Sequence, residues 1–167
     1  VHYQEWFDFP SLGRCYMDVV YHPYHDEDNN IVGTVVSARD ITETHELSEK
    51  LSYQASHDTL TGLVNRNEFE RRLHRIIEST RNSVNEHALC YVDLDQFKVI
   101  NDTCGHIAGD ELLRQLSALL STLVRKRDTL ARLGGDEFGL LMENCTFPQA
   151  KDIAELLLET VNEFRFT

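Results

Sequence analysis

The sequence predicts an α+β fold of ferredoxin-like order, and three observations carry that prediction. Ala88-Leu89-Cys90-Tyr91-Val92 is a short buried-strand pattern. A helix over about residues 107–124 follows it, with Leu112, Leu113, Leu116, Leu119, Leu120 and Leu123 at helical spacing. Two more strands, near 129–133 and 137–142, flank Gly134-Gly135, and a last helix runs from Pro148 to about Phe164 with Ile153, Leu156, Leu157 and Val161 inward. The order β-α-β-β-α implies a sheet with helices on one face. Its closing strand is not found before Phe164-Arg165-Phe166-Thr167, so the fold is expected to be incomplete at its C-terminus.

Composition narrows the function classes. The 167 residues are 41% hydrophobic with three prolines, as in a folded chain. A net charge of −12 leaves no basic stripe for phosphate backbones and argues against nucleic acid as a partner. It does not argue against nucleotides, because metal ions supply positive charge in such sites. No apolar run approaches the roughly 18 residues of a membrane span, and no signal peptide opens the chain. Cys15, Cys90, Cys104 and Cys145 lack metal-ligand spacing, which fits a reduced compartment. The expectation is a cytoplasmic protein without direct membrane contact in this fragment, alone or as the cytosolic part of a membrane-anchored sensor.

The first 40 residues are strand-like. Tyr16–Tyr21 and Ile31–Val36 are β-rich runs separated by the turn segment Asp26-Glu27-Asp28-Asn29-Asn30. Two or three strands are too few for an independent core. Asp8 through Thr42, ending in Arg39-Asp40-Ile41-Thr42-Glu43, resembles the last strands of a PAS sensor domain. A helix is expected next, capped by Thr42 or Thr44, with Glu43 and Glu46 at its positive end. Leu47, Leu51 and Ala55 line one face, as in an amphipathic connector or a short signalling coiled coil. His57-Asp58-Thr59-Leu60-Thr61-Gly62-Leu63-Val64-Asn65-Arg66 then marks a boundary, leading into a helix over about 66–81 with Phe69, Leu73, Ile76 and Ile77 on its apolar side. The predicted division is 1–42, 43–56 and 57–167.

Chemistry concentrates in two stretches. Arg132-Leu133-Gly134-Gly135-Asp136-Glu137-Phe138 reads as a tight hairpin with two carboxylates at its tip. Adjacent acids there are costly unless a hard cation sits between them. Some forty residues earlier, Asp93 falls where an apolar strand ends, followed by Leu94-Asp95-Gln96-Phe97-Lys98, Asn101-Asp102, Gly105-His106 and Gly109-Asp110. Asp93, Asp136 and Glu137 together form a three-acid cluster suited to Mg²⁺; Asp93 alone could equally cap the next helix. Gln96-Phe97-Lys98 opens a short helix whose free N–H groups suit a phosphate, and Lys98 is either added charge or a solvated lysine.

These stretches together resemble the GGDEF family, the diguanylate cyclases, over residues 54–167. The resemblance implies a nucleotidyl-cyclase-like domain that joins two GTP into cyclic di-GMP and pyrophosphate, using Mg²⁺ or Mn²⁺, in a homodimer through the PAS and linker segments. It places metal on Asp93, the Leu94 carbonyl and Asp136, and metal binding or hydroxyl activation on Glu137. It places substrate on Phe97, Lys98, Gly134 and Gly135, and guanine on Asn101 and Asp110. An amide and a carboxylate suit guanine's edges and reject adenine, although Asp110 could also be a first-turn acid. Arg125 and Asp128 are spaced as RxxD, nine and six residues before Gly134, which the resemblance reads as an inhibitory product site. Arg can grip phosphate and stack on guanine while Asp takes the base edge; the alternative is a basic helix end beside a loop acid. The rival function is a regulatory GTP-binding module that tunes a downstream cyclic di-GMP phosphodiesterase domain.

Overall fold

The computed structural model describes residues 1–81 and 85–166. The chain separates into two compact units, Val1–Ser52 and Tyr53–Thr167, each described by itself.

The first unit is an antiparallel meander of β1 (His2–Phe9), β2 (Gly13–His25) and β3 (Ile31–Asp40) in the order β1-β2-β3. Asp26 makes the second turn: its Oδ1 accepts the N–H groups of Asp28 at 3.0 Å and Asn30 at 2.8 Å, the usual use of an Asx side chain. Helix α1 (Thr42–Ser56) follows. The expected cap is corrected here. Asp40 Oδ1, rather than a threonine, accepts the Thr42 N–H at 2.9 Å. The Thr42 hydroxyl donates to the same oxygen at 2.6 Å and accepts the Tyr16 N–H at 2.8 Å. Thr42 thus ties the helix start to β2. Leu47 and Leu51 are exposed, and α1 buries no residue of its own.

The second unit contains β4 (Val64–Asn65), α2 (Arg66–Thr80), β5 (Ala88–Asp93), α3 (Phe97–Cys104), α4 (His106–Leu123), β6 (Thr129–Gly134), β7 (Glu137–Met142) and α5 (Phe147–Glu163). Its sheet runs β4-β6-β7-β5. The two-residue strand β4 pairs parallel to β6, and the other pairings are antiparallel. Asn65 caps α2 through the Glu68 N–H at 3.0 Å, and Thr146 with Gln149 forms a capping box at α5, with Pro148 in its first turn.

Helices cover both faces of this sheet, not one. Leu130, Phe138, Leu140 and Met142 pack with Leu112, Leu113, Leu116 and Leu120 of α4 and Leu157 of α5. Ala131, Leu133 and Leu141 pack instead with Phe69 and Ile76 of α2. The two sets alternate along β6 and β7, because successive strand side chains point to opposite faces. Both strands are apolar on both sides, so both sides require a helix. Gly139 makes room for this second layer: a Cβ there would lie 2.7 Å from Phe69 Cζ.

Candidate active site

The hairpin β6–β7 turns through Gly135 and Asp136, with Gly134 opposite Glu137. Gly134 and Gly135 have φ of 150° and 51°, a conformation that glycine adopts without a side-chain clash. Asp136 therefore sits in the turn, and Glu137 is the first residue of β7. Asp93, the last residue of β5, lies directly opposite Glu137 in the ladder. Register alone thus brings two carboxylates 44 positions apart in the chain side by side. Arg66, Tyr91, Val92, Asp93, Leu133 and Glu137 line a cleft of about 220 Å³ at this point.

The expected three-acid cluster is not preassembled. Among the described residues, no group of three or more His, Cys, Asp and Glu side chains converges on a metal position. Instead, Arg66 Nη2 lies 3.0 Å from Glu137 Oε2 and holds that carboxylate in an ion pair. The donor set still fits Mg²⁺ or Mn²⁺. Mg²⁺ commonly takes one or two carboxylates and completes its shell with water and substrate phosphates, rather than using an all-protein cage.

The turn after β5 departs from expectation in one respect. Gln96 precedes α3 in the left-handed conformation with φ of 65°, and no side chain caps the helix. Two of its early N–H groups are already used: Phe97 donates to the Leu94 carbonyl at 3.2 Å and Val99 to the Gln96 carbonyl at 2.9 Å. Lys98 is exposed, while Leu94 and Phe97 are core residues. Asn101 is half-buried and abuts Gly109 so closely that a Cβ on Gly109 would collide with its amide oxygen. Asp110, the next residue, is exposed.

The Diguanylate cyclase, GGDEF domain family model matches residues 55–167. The chain belongs to the GGDEF family. It is 44% identical over 144 residues to the probable diguanylate cyclase DgcE of Escherichia coli, covering 86% of this chain and 13% of that protein. It is 41% identical over 136 residues to the cyclic di-GMP phosphodiesterase PdeB of Shewanella oneidensis, covering 81% of this chain and 15% of that protein. The chain thus spans a small part of the length of these relatives. Among solved structures it resembles the coiled coil and GGDEF domain of DgcB from Caulobacter crescentus in complex with c-di-GMP. That likeness has a TM-score of 0.69 and 25% identity over 75% of this chain and 66% of the other. It also resembles the diguanylate cyclase SiaD of Pseudomonas aeruginosa, crystallised with its activator SiaC. There the TM-score is 0.66 at 30% identity, over 75% of this chain and 48% of the other.

Two charged residues in the motifs of the GGDEF domain, Asp58 and Arg132, meet in the fold although their sequence positions suggest no role for either. Arg132 Nη1 lies 3.2 Å from Asp58 Oδ1, and Arg132 Nε–H donates to the Gly135 carbonyl at 2.9 Å. Asp58 also accepts the Thr61 N–H at 2.9 Å and the Thr61 hydroxyl at 2.7 Å. Burial pushes the Asp58 carboxyl up, but the Thr61 hydrogen bonds and Arg132 outweigh it and hold it below the usual range. The GGDEF turn is therefore anchored to the motif that opens the domain. The available signal was a pair of opposite charges inside two recognisable motifs.

The RxxD segment is a tight turn, with the Asp128 N–H donating to the Arg125 carbonyl at 2.9 Å. Asp128 Oδ1 accepts the Glu143 N–H at 3.1 Å. Asp128 lines a cleft of about 350 Å³ with Arg71, Arg72, Arg75, Lys126 and Arg127, whereas Arg125 is not among the lining residues. No helix among the described residues is long and apolar enough to cross a membrane.

Proposed function

We propose that the GGDEF domain condenses two GTP molecules into cyclic di-GMP with release of pyrophosphate. In this reading residues 57–167 are the catalytic part, 1–42 the end of a PAS domain and 43–56 a signalling helix that orients two half-sites in a homodimer. The observation that carries it is the register placing Asp93 opposite Glu137 beside the intact Gly134–Phe138 turn.

Asp93 and Glu137 supply hard oxygen donors at the strand ends, and Asp136 adds a third from the turn. The Leu94 carbonyl, although it accepts from Phe97, retains a second lone pair. A bound divalent cation would lower the pKa of the attacking 3′-hydroxyl and neutralise charge at the α-phosphate. Asn101 and Asp110 hold the guanine, with Gly109 allowing close approach. Gly134 and Gly135 leave the backbone open to the triphosphate, and Phe97 and Lys98 border it. Arg125 and Asp128 form the product site that limits turnover. The domain acts in the cytoplasm.

The test is product analysis with GTP and Mg²⁺ beside an Asp136→Ala, Glu137→Ala variant. Cyclic di-GMP from the parent alone supports the cyclase. GTP binding without product in the parent favours a second reading, motivated by relatives named as cyclic di-GMP phosphodiesterases, such as PdeB and the Escherichia coli PdeR. There the domain is a regulatory GTP-binding module.

A further inference from the structure

We propose that Arg66 is the resident counter-ion of Glu137 and yields that carboxylate when a divalent cation enters the cleft. The inference rests on the cyclase reading above and assigns a residue which that reading leaves without a role.

Arg66 is held firmly at its backbone. It is the first residue of α2, directly after the cap Asn65, whose Oδ1 accepts the Glu68 N–H at 3.0 Å. Asn65 Nδ2–H also donates to the Ala55 carbonyl at 3.0 Å. From this base the guanidinium reaches both strands of the GGDEF hairpin. Its Nε–H donates to the Leu133 carbonyl at 2.7 Å on β6, and its Nη2 meets Glu137 Oε2 at 3.0 Å on β7. These two contacts differ in kind. Leu133 is buried, so the first prong is sheltered. The ion pair is half exposed, at 52% for the Arg66 side chain and 53% for that of Glu137.

Electrostatics assigns the exposed prong its role. Like charges directly opposite each other in a sheet destabilise it, and Asp93 stands opposite Glu137. Among the described residues lining the cleft, Arg66 is the basic one. Its single charge offsets the pair in the absence of metal. A half-exposed ion pair is weak, so a cation carrying two charges can displace it. The Leu133 prong keeps the guanidinium nearby after release. Arg66 is thus a positioning residue, acting on the site through Glu137.

A purely structural clamp predicts the opposite sign. If Arg66 only braced the hairpin, its loss would loosen the site and weaken metal binding. As a counter-ion, its loss frees a carboxylate and tightens binding. The experiment measures Mn²⁺ affinity of the 167-residue chain by electron paramagnetic resonance without nucleotide, for the parent, Arg66→Gln, Arg66→Lys and the surface control Lys151→Gln. Circular dichroism confirms that each variant is folded. The expected result is about three- to fivefold tighter Mn²⁺ binding in Arg66→Gln, the reciprocal of what a half-exposed ion pair contributes. Arg66→Lys, which keeps the charge, and Lys151→Gln stay within about twofold of the parent. Unchanged or weaker binding in folded Arg66→Gln, with parent binding that requires Asp93 and Asp136, overturns the counter-ion role and leaves the cyclase reading standing. A parent that binds no Mn²⁺ without nucleotide overturns the displacement of Arg66 by the cation alone, because the site then needs substrate phosphates to hold metal. Mn²⁺ bound equally by the parent and by Asp93→Asn, Asp136→Asn overturns the metal site and the counter-ion role with it.

Discussion

Arg132 and Asp58 are joined across 74 positions of the chain, with Arg132 Nη1 3.2 Å from Asp58 Oδ1 and 3.4 Å from Oδ2. The same arginine holds the Gly135 carbonyl in the turn that carries Asp136. One side chain thus couples the motif that opens the domain to the tip of the GGDEF hairpin. Because the Asp58 side chain is only 24% exposed and that of Arg132 14%, the pair is better sheltered than an ordinary surface ion pair.

Removing this link should disturb the site more than the fold. Arg132→Gln leaves Asp58 with its two Thr61 hydrogen bonds but frees the Gly135 carbonyl. The expected loss of stability is about 1–3 kcal/mol, that of a hydrogen bond to a charged group. Cyclic di-GMP synthesis should fall by more than the change in folded fraction explains. Thermal unfolding and initial rates, measured on the same samples, check this. A rate loss accounted for by unfolding alone would show that the tip needs no such anchor.

Glu68 gives a pH prediction whose sign follows from its partners. Hydrogen bonds from Arg71 and then Arg72, at 2.7 Å each, lower its carboxyl to about 2 despite the opposing effect of burial. A depressed carboxylate pKa stabilises the fold above the unfolded-state value and loses that contribution as pH falls through the folded value. Glu68 should therefore contribute fully above about pH 4.3 and lose its contribution towards pH 2. Glu68→Gln should cost about 1–2 kcal/mol at neutral pH, and parent and variant should converge in acid. Denaturant unfolding between pH 2 and 7 tests it; a constant gap across that range rules the account out.

What the sequence could and could not reveal follows from the range of the interactions. The hairpin around Gly134-Gly135 and the strand Ala88–Asp93 were legible because strand alternation and glycine turns are local patterns. Two-residue β4 carries too little pattern to be seen. The placement of α2 on the far face was hidden because Ala131, Leu133 and Leu141 are apolar on strands that are also apolar on the other side. Asp93, Asp136 and Glu137 were visible as acids near turns, but Arg66's hold on Glu137 spans 71 positions. A motif cannot report which cation currently neutralises its carboxylate.

Ser117 offers a stabilising change. It is 1% exposed in α4, and its hydroxyl has no hydrogen-bond partner among the described residues. A buried, unsatisfied hydroxyl retains its desolvation cost, and alanine is also the better helix former. Ser117→Ala should raise stability by about 0.5–1.5 kcal/mol without altering GTP binding. Chemical denaturation reads the first and titration calorimetry the second. A destabilised variant would mean that the hydroxyl is bonded in solution, through water or the helix backbone.

Gly109→Ala separates the proposed guanine pocket from general packing. A Cβ at Gly109 would overlap the Asn101 amide oxygen and come within 3.2 Å of Phe97 Cζ. Asn101 is a polar side chain at a helix–helix contact and can rotate away, whereas the phenyl ring is fixed in the core. The collision should therefore be relieved by displacing the amide proposed to bind guanine. GTP affinity should drop about tenfold or more, since about 1.4 kcal/mol, roughly one well-placed hydrogen bond, is a factor of ten. Gly139→Ala is the matched control. Its Cβ would lie 2.7 Å from Phe69 Cζ, in the layer beneath α2. It should cost about 1–3 kcal/mol of stability as overpacking, yet leave the affinity of the folded molecules unchanged. Calorimetric GTP titration of both variants, corrected for folded fraction, decides the matter: equal affinity losses would remove Asn101 from the nucleotide site, and a loss confined to Gly109→Ala would place it there.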